Sequence, residues 1–511
     1  MLSDIPVVEN LSYLSTEQGH SLTRNLSHVI QNDCVEGLRL LHQVDREMLR
    51  GFRFFVHQYL PTLSQLLKQS SGRCVLAGSG SSGRIAIDLA AKCGALGVIA
   101  GGDSAFIRAR EGFEDSEAAG VQAMEECKLT RDDIVFLLSA SGSASFNVGC
   151  AKAACKAGAK VCYFYNSRQV PEKTRQLFDF YGVMPVLVDG GPQAITGSTR
   201  LQAASLAELC LGCLLSGEDP ETLLERIEEG NRQIEQSLPD IARIVHLGHE
   251  TLLAAGCVTL LAEAHCLREV MIDATEIPPT FSTNPPRAVN ESGKQAEFQA
   301  FLAGESDNLC AWKTLLGREP TTDEVQSFVV AETGLSVRPL GSGNLLIGVG
   351  TQSLKTHGAK TAVISLSGQN ALLCDAQVVL DIASDKTGLV STLVLKQILN
   401  LISNGTMILL GKVDGNQMID VRTSNHKLID RASRLVQDIF RRHAPERIVP
   451  EPLVRELLFY IREKTKLREE QGLYTSSPVK VAVTMIYRGL SFEEAVEFLC
   501  LHQEIIEEVF R

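Results

Sequence analysis

The chain has 511 residues, 44% of them apolar and 22% charged, the balance of a globular protein of several domains rather than of a disordered chain or a fibre. A net charge of −12 and an aromatic content of 5% argue against nucleic acid as the main partner, because a phosphate backbone needs a basic face and single strands need stacking platforms. The 14 cysteines are too sparse for a disulfide scaffold, the opening MLSDIPVVENLSYLSTEQ carries acids rather than an apolar core, and no run of 18 apolar residues occurs. The expectations are reduced thiols, a cytoplasmic address and no membrane span.

Residues 1–70 predict extended chain followed by amphipathic helices, in LSHVIQNDCVEGLRLLHQV and LRGFRFFVHQYLPTLSQLLKQ. CVLAG is a short apolar run meeting glycines, a buried strand, and IAIDLAAKCG is the helix after it. GVIAGG predicts a second strand, FEDSEAAGVQAMEEC a helix with Asp115 and Ser116 as candidate caps, DIVFLLS a third strand, FNVGCAKAACKAGA a helix and KVCYFYNS a fourth strand. Strands alternating with helices of this length mean a parallel sheet covered on both faces. TGSTRLQAASLAELCLGCLL closes the run as an apolar helix; Cys210 and Cys213 lie within it with no second Cys/His pair nearby, which predicts core packing rather than a zinc site. A second α/β stretch follows, with a helix from LLERIEEG, a strand and helix in CVTLLAEAHCLREVMIDATE, strands in NLLIGVG, TAVISLSG and ALLCDAQVVLDI, and a matching apolar helix, LVSTLVLKQILNLISNG. That is a duplicated domain. From about residue 405 helix is expected to the end.

Four segments can carry chemistry. Gly78-Ser79-Gly80-Ser81-Ser82-Gly83 fits GxGxxG between a strand and a helix, with hydroxyls as spacers, which suits a terminal phosphate monoester. A bare strand–helix turn is one alternative. A dinucleotide loop is another, since Asp103 falls where a ribose-binding acid would stand. Ser139-Ala140-Ser141-Gly142-Ser143 ends the third strand, and two such turns at strand ends can meet around one phosphate. Glu111-Gly112-Phe113-Glu114-Asp115 places acids before a helix, which is capping unless a sugar hydroxyl or an acidic C–H lies nearby. In Glu276-Ile277-Pro278-Pro279 the prolines are expected to stop a helix and leave Glu276 at its C-terminus, against the dipole.

Together GSGSSGR (78–84), IAGGD (99–103), EGFED (111–115), SASG (139–142), TGSTRL (196–201), IDATEIPPTF (272–281) and LLGKVDGNQMIDVRTSNHKLIDRA (409–432), with LSTEQ (14–18) and the tail VKVAVTMIYRGLSFEEAVEFL (479–499), resemble the family that joins N-acetylmuramic acid 6-phosphate etherase with the glucokinase regulatory protein. The resemblance implies an α/β protein: two flavodoxin-like sugar-isomerase (SIS) domains in tandem forming a pseudo-dimer, plus an all-helical C-terminal domain. The expected divisions are 1–47 arm and helix, 48–218 first SIS domain, 219–432 second, degenerate SIS domain, and 433–511 helical domain. The first repeat has Lys92 where the family's ECPPTF-type glutamate falls; the second keeps Glu276, but AEAHCL (262–267) has lost the loop and only Arg268 of it remains.

By resemblance, then, one site survives between the repeats. Ser79, Gly80, Ser81, Ser82 and Gly83, with Ser139, Ser141, Gly142 and Ser143, would hold the phosphate, and Lys412 would add a positive charge. Glu114 would be the base and Glu276 the acid of an etherase, with carboxyls about 5–10 Å apart, as in pairs that straddle a sugar. No metal or other cofactor is implied. Two functions fit: a sensor of a phosphorylated hexose or amino sugar that controls a sugar kinase, which the fusion of unlike halves favours, and a lyase cleaving the lactyl ether of N-acetylmuramic acid 6-phosphate. His265 and His426 are read as structural, which leaves an isomerase without its histidine.

Overall fold

The computed structural model describes residues 13–511 apart from 111, 293–294, 336–340, 352–353, 355–357, 371–372, 422 and 424–425. The first sheet contains β1 (Cys74–Gly78), β2 (Leu96–Ile99), β3 (Ile134–Ser139), β4 (Lys160–Tyr165) and β5 (Met184–Leu187), all parallel in the order 2-1-3-4-5. The second contains β6 (Val258–Ala262), β7 (Phe298–Leu302), β8 (Leu345–Val349), β9 (Lys360–Ser365) and β10 (Ala376–Val379), also parallel, in the order 7-6-8-9-10. The two orders are the same topology, so the duplication expected from the sequence is a duplication of fold.

Each strand alternates between two cores. Val75 and Ala77 of β1 and Val135 and Leu137 of β3 face an outer layer that includes Phe146 and Met124. Leu76, Phe136 and Leu138 face inward to a core that runs without a break into the second half, through Leu206, Leu260, Ile277, Ile347 and Leu395. Burial on both faces explains why IVFLLS is apolar throughout. The inner core is organised by the helices Gly80–Cys93, Gln202–Ser216, Leu267–Phe281 and Leu389–Leu409. Leu389–Leu409 is long and apolar enough to cross a membrane by length and composition, but 94% of its most apolar window is buried inside the protein. Cys210 and Cys213 are buried in Gln202–Ser216, and no disulfide forms among the described residues.

Several expectations are corrected. Two strands were not foreseen, β5 and β7, both at sheet edges. Pro185 sits inside β5, where an edge tolerates a missing donor, and Gln299 interrupts the apolar run of β7, its amide bonded to Thr259 at 2.7 Å. Helix does not run unbroken from residue 405. A hairpin, Val413–Asp414 paired with Gln417–Met418, follows Leu389–Leu409. The terminal helices His426–His443, Glu451–Glu470, Pro478–Arg488 and Phe492–Leu501 then surround a separate core that begins at Ile419, so His426–His443 spans the expected division at 432/433.

Close helix packing places the acid-bearing loop. The helices Glu117–Glu126 and Ser145–Lys156 touch backbone to backbone at Gly120 and Gly149; a Cβ on Gly149 would lie 2.0 Å from the Glu117 carbonyl oxygen. Gly149→Ala is therefore expected to cost about 1–3 kcal/mol of stability, read by urea unfolding. A second expectation concerns pH. Burial pushes the Asp45 carboxyl up to about 7, while the Gln202 amide donates to it at 2.6 Å. A carboxyl whose folded pKa is raised stabilises the fold below its unfolded pKa and loses that contribution as pH rises through the folded one. Stability should fall between about pH 4 and 7, and Asp45→Asn should flatten that fall in thermal melts.

Candidate functional site

The site begins where β1 meets its helix. Ser79 precedes Gly80–Cys93 in extended backbone, and its hydroxyl makes no capping bond. Gly80 has φ +53° with open space where a side chain would go. A Cβ on Gly83 would lie 2.6 Å from the Gly78 carbonyl oxygen, so the glycine lets the helix close on the strand. The first-turn N–H groups of that helix are left for a ligand. At the end of β3, Ser141 and Ser143 bond to each other at 2.7 Å around Gly142, whose φ is +71°, and Ser139 is buried beside them at the strand's last position. In the 2-1-3-4-5 order the chain reverses direction between β1 and β3, so both serine turns flank the switch point, where open α/β sheets bind ligands.

Glu276 comes to this cradle from the second half. Ser81 Oγ donates to Glu276 Oε2 at 2.6 Å, and Arg84 Nη1 is paired with Glu276 Oε1. Arg84, almost wholly buried, is aimed by two carbonyls, donating to Phe106 at 2.8 Å and Ala105 at 2.9 Å. The prolines do not end the helix before them: Leu267–Phe281 contains Pro278 and Pro279 and stops only at Ser282. Glu276 is therefore more than a turn from the end, and its backbone carbonyl accepts from Thr280 Oγ1 at 2.7 Å. What holds its charge is Arg84.

The pseudo-equivalent contact is inverted. Lys92 occupies the register position of Glu276, and its ammonium would face Arg268. Arg268 Nε instead bonds Asp88 at 2.8 Å, and Lys92 Nζ bonds Asp88 at 2.7 Å, Glu269 at 2.6 Å and Thr392 at 2.5 Å. Two further buried pairs join the layers: Arg200 with Asp273 at 2.8 Å and Lys396 with Glu208 at 2.8 Å. Among the described residues of the second loop, His265 and Glu263 are exposed on the surface, 3.6 Å apart. The side chain of His426 lies outside the described residues.

The remaining candidates surround this contact. Glu114 is exposed on the loop before Glu117–Glu126, and its backbone carbonyl accepts from Phe146 N at 3.0 Å, which places it beside the turn that follows Ser143. Glu111 lies outside the described residues. A cavity of about 480 Å³ opens over the end of the neighbouring β2, walled by Gly102, Asp103, Arg108 and Arg110 of the first half and Ala288 and Glu324 of the second. Asp103, the candidate ribose acid, is instead paired with Arg318 from the second half. Burial pushes its carboxyl up to about 6.

Lys412 is tied to Asp420, whose backbone carbonyl accepts from Ser282 at the end of the Glu276 helix. That is six residues beyond Glu276, a rise of about 9 Å. Buried Lys480 stands 3.0 Å from the same carboxylate, and burial pushes its ammonium down to about 8. Lys412 thus lies in an ion cluster next to the cradle rather than against its serines. The segments LSTEQ, TGSTRL and the GNQ turn meet here as well. Gly197 N donates to the Thr16 carbonyl at 3.1 Å, Thr196 N to that of Asn416 at 2.8 Å, and Arg431 pairs with Glu17 at 2.7 Å. The hydroxyls of Thr16 and Ser198 are buried there with no partner among the described residues. Arg84 and Arg200 were not singled out from the sequence. The signal was present, since each arginine closes a motif of small residues, where a long cation has no reason to lie unless it is paired.

Among the described residues no cluster of His, Cys, Asp and Glu could hold a metal ion. Removing Arg84 would leave Glu276 buried without its counter-charge. Arg84→Met is expected to cost about 3–5 kcal/mol, measured by chemical unfolding, with the Arg84→Met/Glu276→Met double variant recovering much of the loss.

A family model described as the glucokinase regulatory protein N-terminal SIS domain matches residues 59–155. An N-acetylmuramic acid 6-phosphate etherase from Bacillus pumilus is 31% identical over 48% of this chain and 83% of its own length, and one from Bacillus subtilis is 28% identical over 47% and 83%. A putative phosphosugar isomerase from Clostridium difficile 630, of known structure, aligns with TM-score 0.47 at 11% identity, over 75% of this chain and 96% of its own. With the doubled 2-1-3-4-5 sheet, the family model and the etherase relatives establish that the chain belongs to the SIS-domain family that joins the N-acetylmuramic acid 6-phosphate etherases with the glucokinase regulatory protein.

Proposed function

We propose that the chain binds a phosphorylated amino sugar between its two halves and cleaves the D-lactyl ether of N-acetylmuramic acid 6-phosphate. The observation that carries this reading is the hydrogen bond from Ser81 to Glu276, which sets a carboxyl group of the second half against the phosphate cradle of the first. Ser79, Ser81, Ser82, Ser139, Ser141 and Ser143, with Gly80, Gly83 and Gly142, hold the phosphate through hydroxyls and helix-start N–H groups. Lys412 adds positive charge from the adjacent cluster.

Glu114 removes the proton beside the sugar carbonyl. The electron pair of that C–H bond forms the new C=C bond as the neighbouring C–O bond breaks, and the departing lactate oxygen takes its proton from Glu276, which enters this step as the carboxylic acid and leaves it as the carboxylate that Arg84 and Ser81 hold. Water then adds across the double bond. The curated relatives, which are etherases by name, favour this reading over the regulator that the sequence put first. Purified protein given N-acetylmuramic acid 6-phosphate should release D-lactate. Glu276→Gln and Glu114→Gln should each lower the rate by about a hundredfold or more. No lactate under conditions where a known etherase is active would overturn the reading.

A second reading, a sensor of a hexose phosphate that controls a sugar kinase, is favoured by one observation. The two halves are unlike, with Lys92 locked into an ion cluster where a second glutamate would stand. On that reading a hexose phosphate raises the melting temperature by linkage without releasing lactate, and Ser81→Ala with Ser141→Ala abolishes the shift.

A further inference from the structure

A second basic concavity lies away from the serine cradle. The helices Cys34–Glu47 and Leu49–Gln58 form one wall, and the long crossover helix Pro220–Leu253 forms the other. The groove encloses about 710 Å³, within the range of small-ligand pockets. Its lining is cationic in an acidic chain. Arg39, Arg46, Arg50 and Arg53 come from the first wall and Arg232 from the second, against three carboxylates, Glu47, Glu228 and Glu235.

The pattern is built into the helices. Arg46, Arg50 and Arg53 recur at four- and three-residue steps, and Glu228, Arg232 and Glu235 repeat the spacing opposite. Arg39 and Arg53 are engaged by Glu235 and Glu228 across the groove, each at 2.8 Å. Among the described residues Arg46 makes no ion pair. Asn231, which also lines the groove, is 2% exposed, and among the described residues neither its Oδ1 nor its Nδ2 has a partner. The same holds of the Nδ1 of buried His42, while its Nε2 meets the Asn231 carbonyl at 3.1 Å. Arg50 and Arg232 are paired within their own helices, with Glu47 at 3.8 Å and with Glu229, so Arg46 is the guanidinium left over, and a guanidinium above an unsatisfied amide is what a phosphorylated ligand completes, since arginine pairs with phosphate through two parallel N–H bonds.

We propose that this groove is a second anion site, distinct from the sugar site, which takes a small phosphate-bearing molecule. Its position gives it a consequence. The Leu49–Gln58 helix packs on Gln202–Ser216 of the first half, and the crossover helix packs on Leu389–Leu409 of the second. A phosphate held between them ties together the two halves whose relative placement sets Glu276 against Ser81, so it couples to the sugar site by linkage.

The test is calorimetric titration of the full chain with inorganic pyrophosphate at low ionic strength. The expected result is binding by the wild type and by Ser81→Ala with Ser141→Ala, which removes cradle hydroxyls. Arg46→Glu with Arg50→Glu, both exposed positions, should bind about ten- to a hundredfold more weakly. Gln43→Glu, exposed at the groove's rim, should weaken binding independently. The proposal is overturned if the wild type binds no pyrophosphate, if binding disappears in the cradle variant while persisting in the arginine variant, or if neither groove variant changes the affinity.

Discussion

A buried carboxylate in one half of this protein is neutralised by a buried arginine in the other, and the placement of everything at the site follows from that pair. Arg84 and Glu276 are both removed from water, so neither charge is tolerable alone. The Phe106 and Ala105 carbonyls take two more guanidinium donors, which leaves Arg84 little freedom to turn away. The pair fixes the angle at which the second half's helix meets the first half's serine turn. Ser81 then only needs to reach 2.6 Å to join it.

The same logic explains the asymmetry. In a symmetric pair of halves the contact would occur twice. Here the register equivalent of Glu276 is Lys92, a cation brought toward Arg268. The fold absorbs the like charges by inserting Asp88 and Glu269 between them, with Thr392 from the apolar helix completing the ammonium's bonds. One side of the interface thus holds a carboxyl group next to the serine turns, and the other is a buried ion cluster. A chain that fuses two copies can afford this division, because neither copy needs a complete site of its own.

Two anion-friendly features follow from different physics. The cradle presents helix-start N–H groups and hydroxyls, donors suited to an anion at close range, and leaves space over Gly80. The arginine groove presents long guanidinium groups between helices, away from the serine turns. A chain of net charge −12 repels anions at a distance, so both features act as local exceptions to its overall field.

The sequence by itself determined the α/β repeat, because strands buried on both faces must be apolar throughout and the glycine–serine turns must sit at their ends. It also determined that GSGSSG is the turn between a strand and a helix, as glycines and short hydroxyl side chains allow the close approach there. It missed β5 and β7 because edge strands face weaker demands, so Pro185 and Gln299 could interrupt their patterns. It misjudged the end of the Glu276 helix because Pro278 and Pro279 fall in the last turns, where few backbone bonds are lost. Only the tertiary structure decided that Arg84 and Glu276 meet, that Lys92 is neutralised by Asp88 and Glu269, and that Lys412 stands with Asp420. Asp88 stands one helical turn from Lys92, but Glu276 and Glu269 reach Arg84 and Lys92 from the other half, and a hairpin separates Lys412 from Asp420. A charge carries no periodic signal that names its counter-charge, and only packing brings the two together.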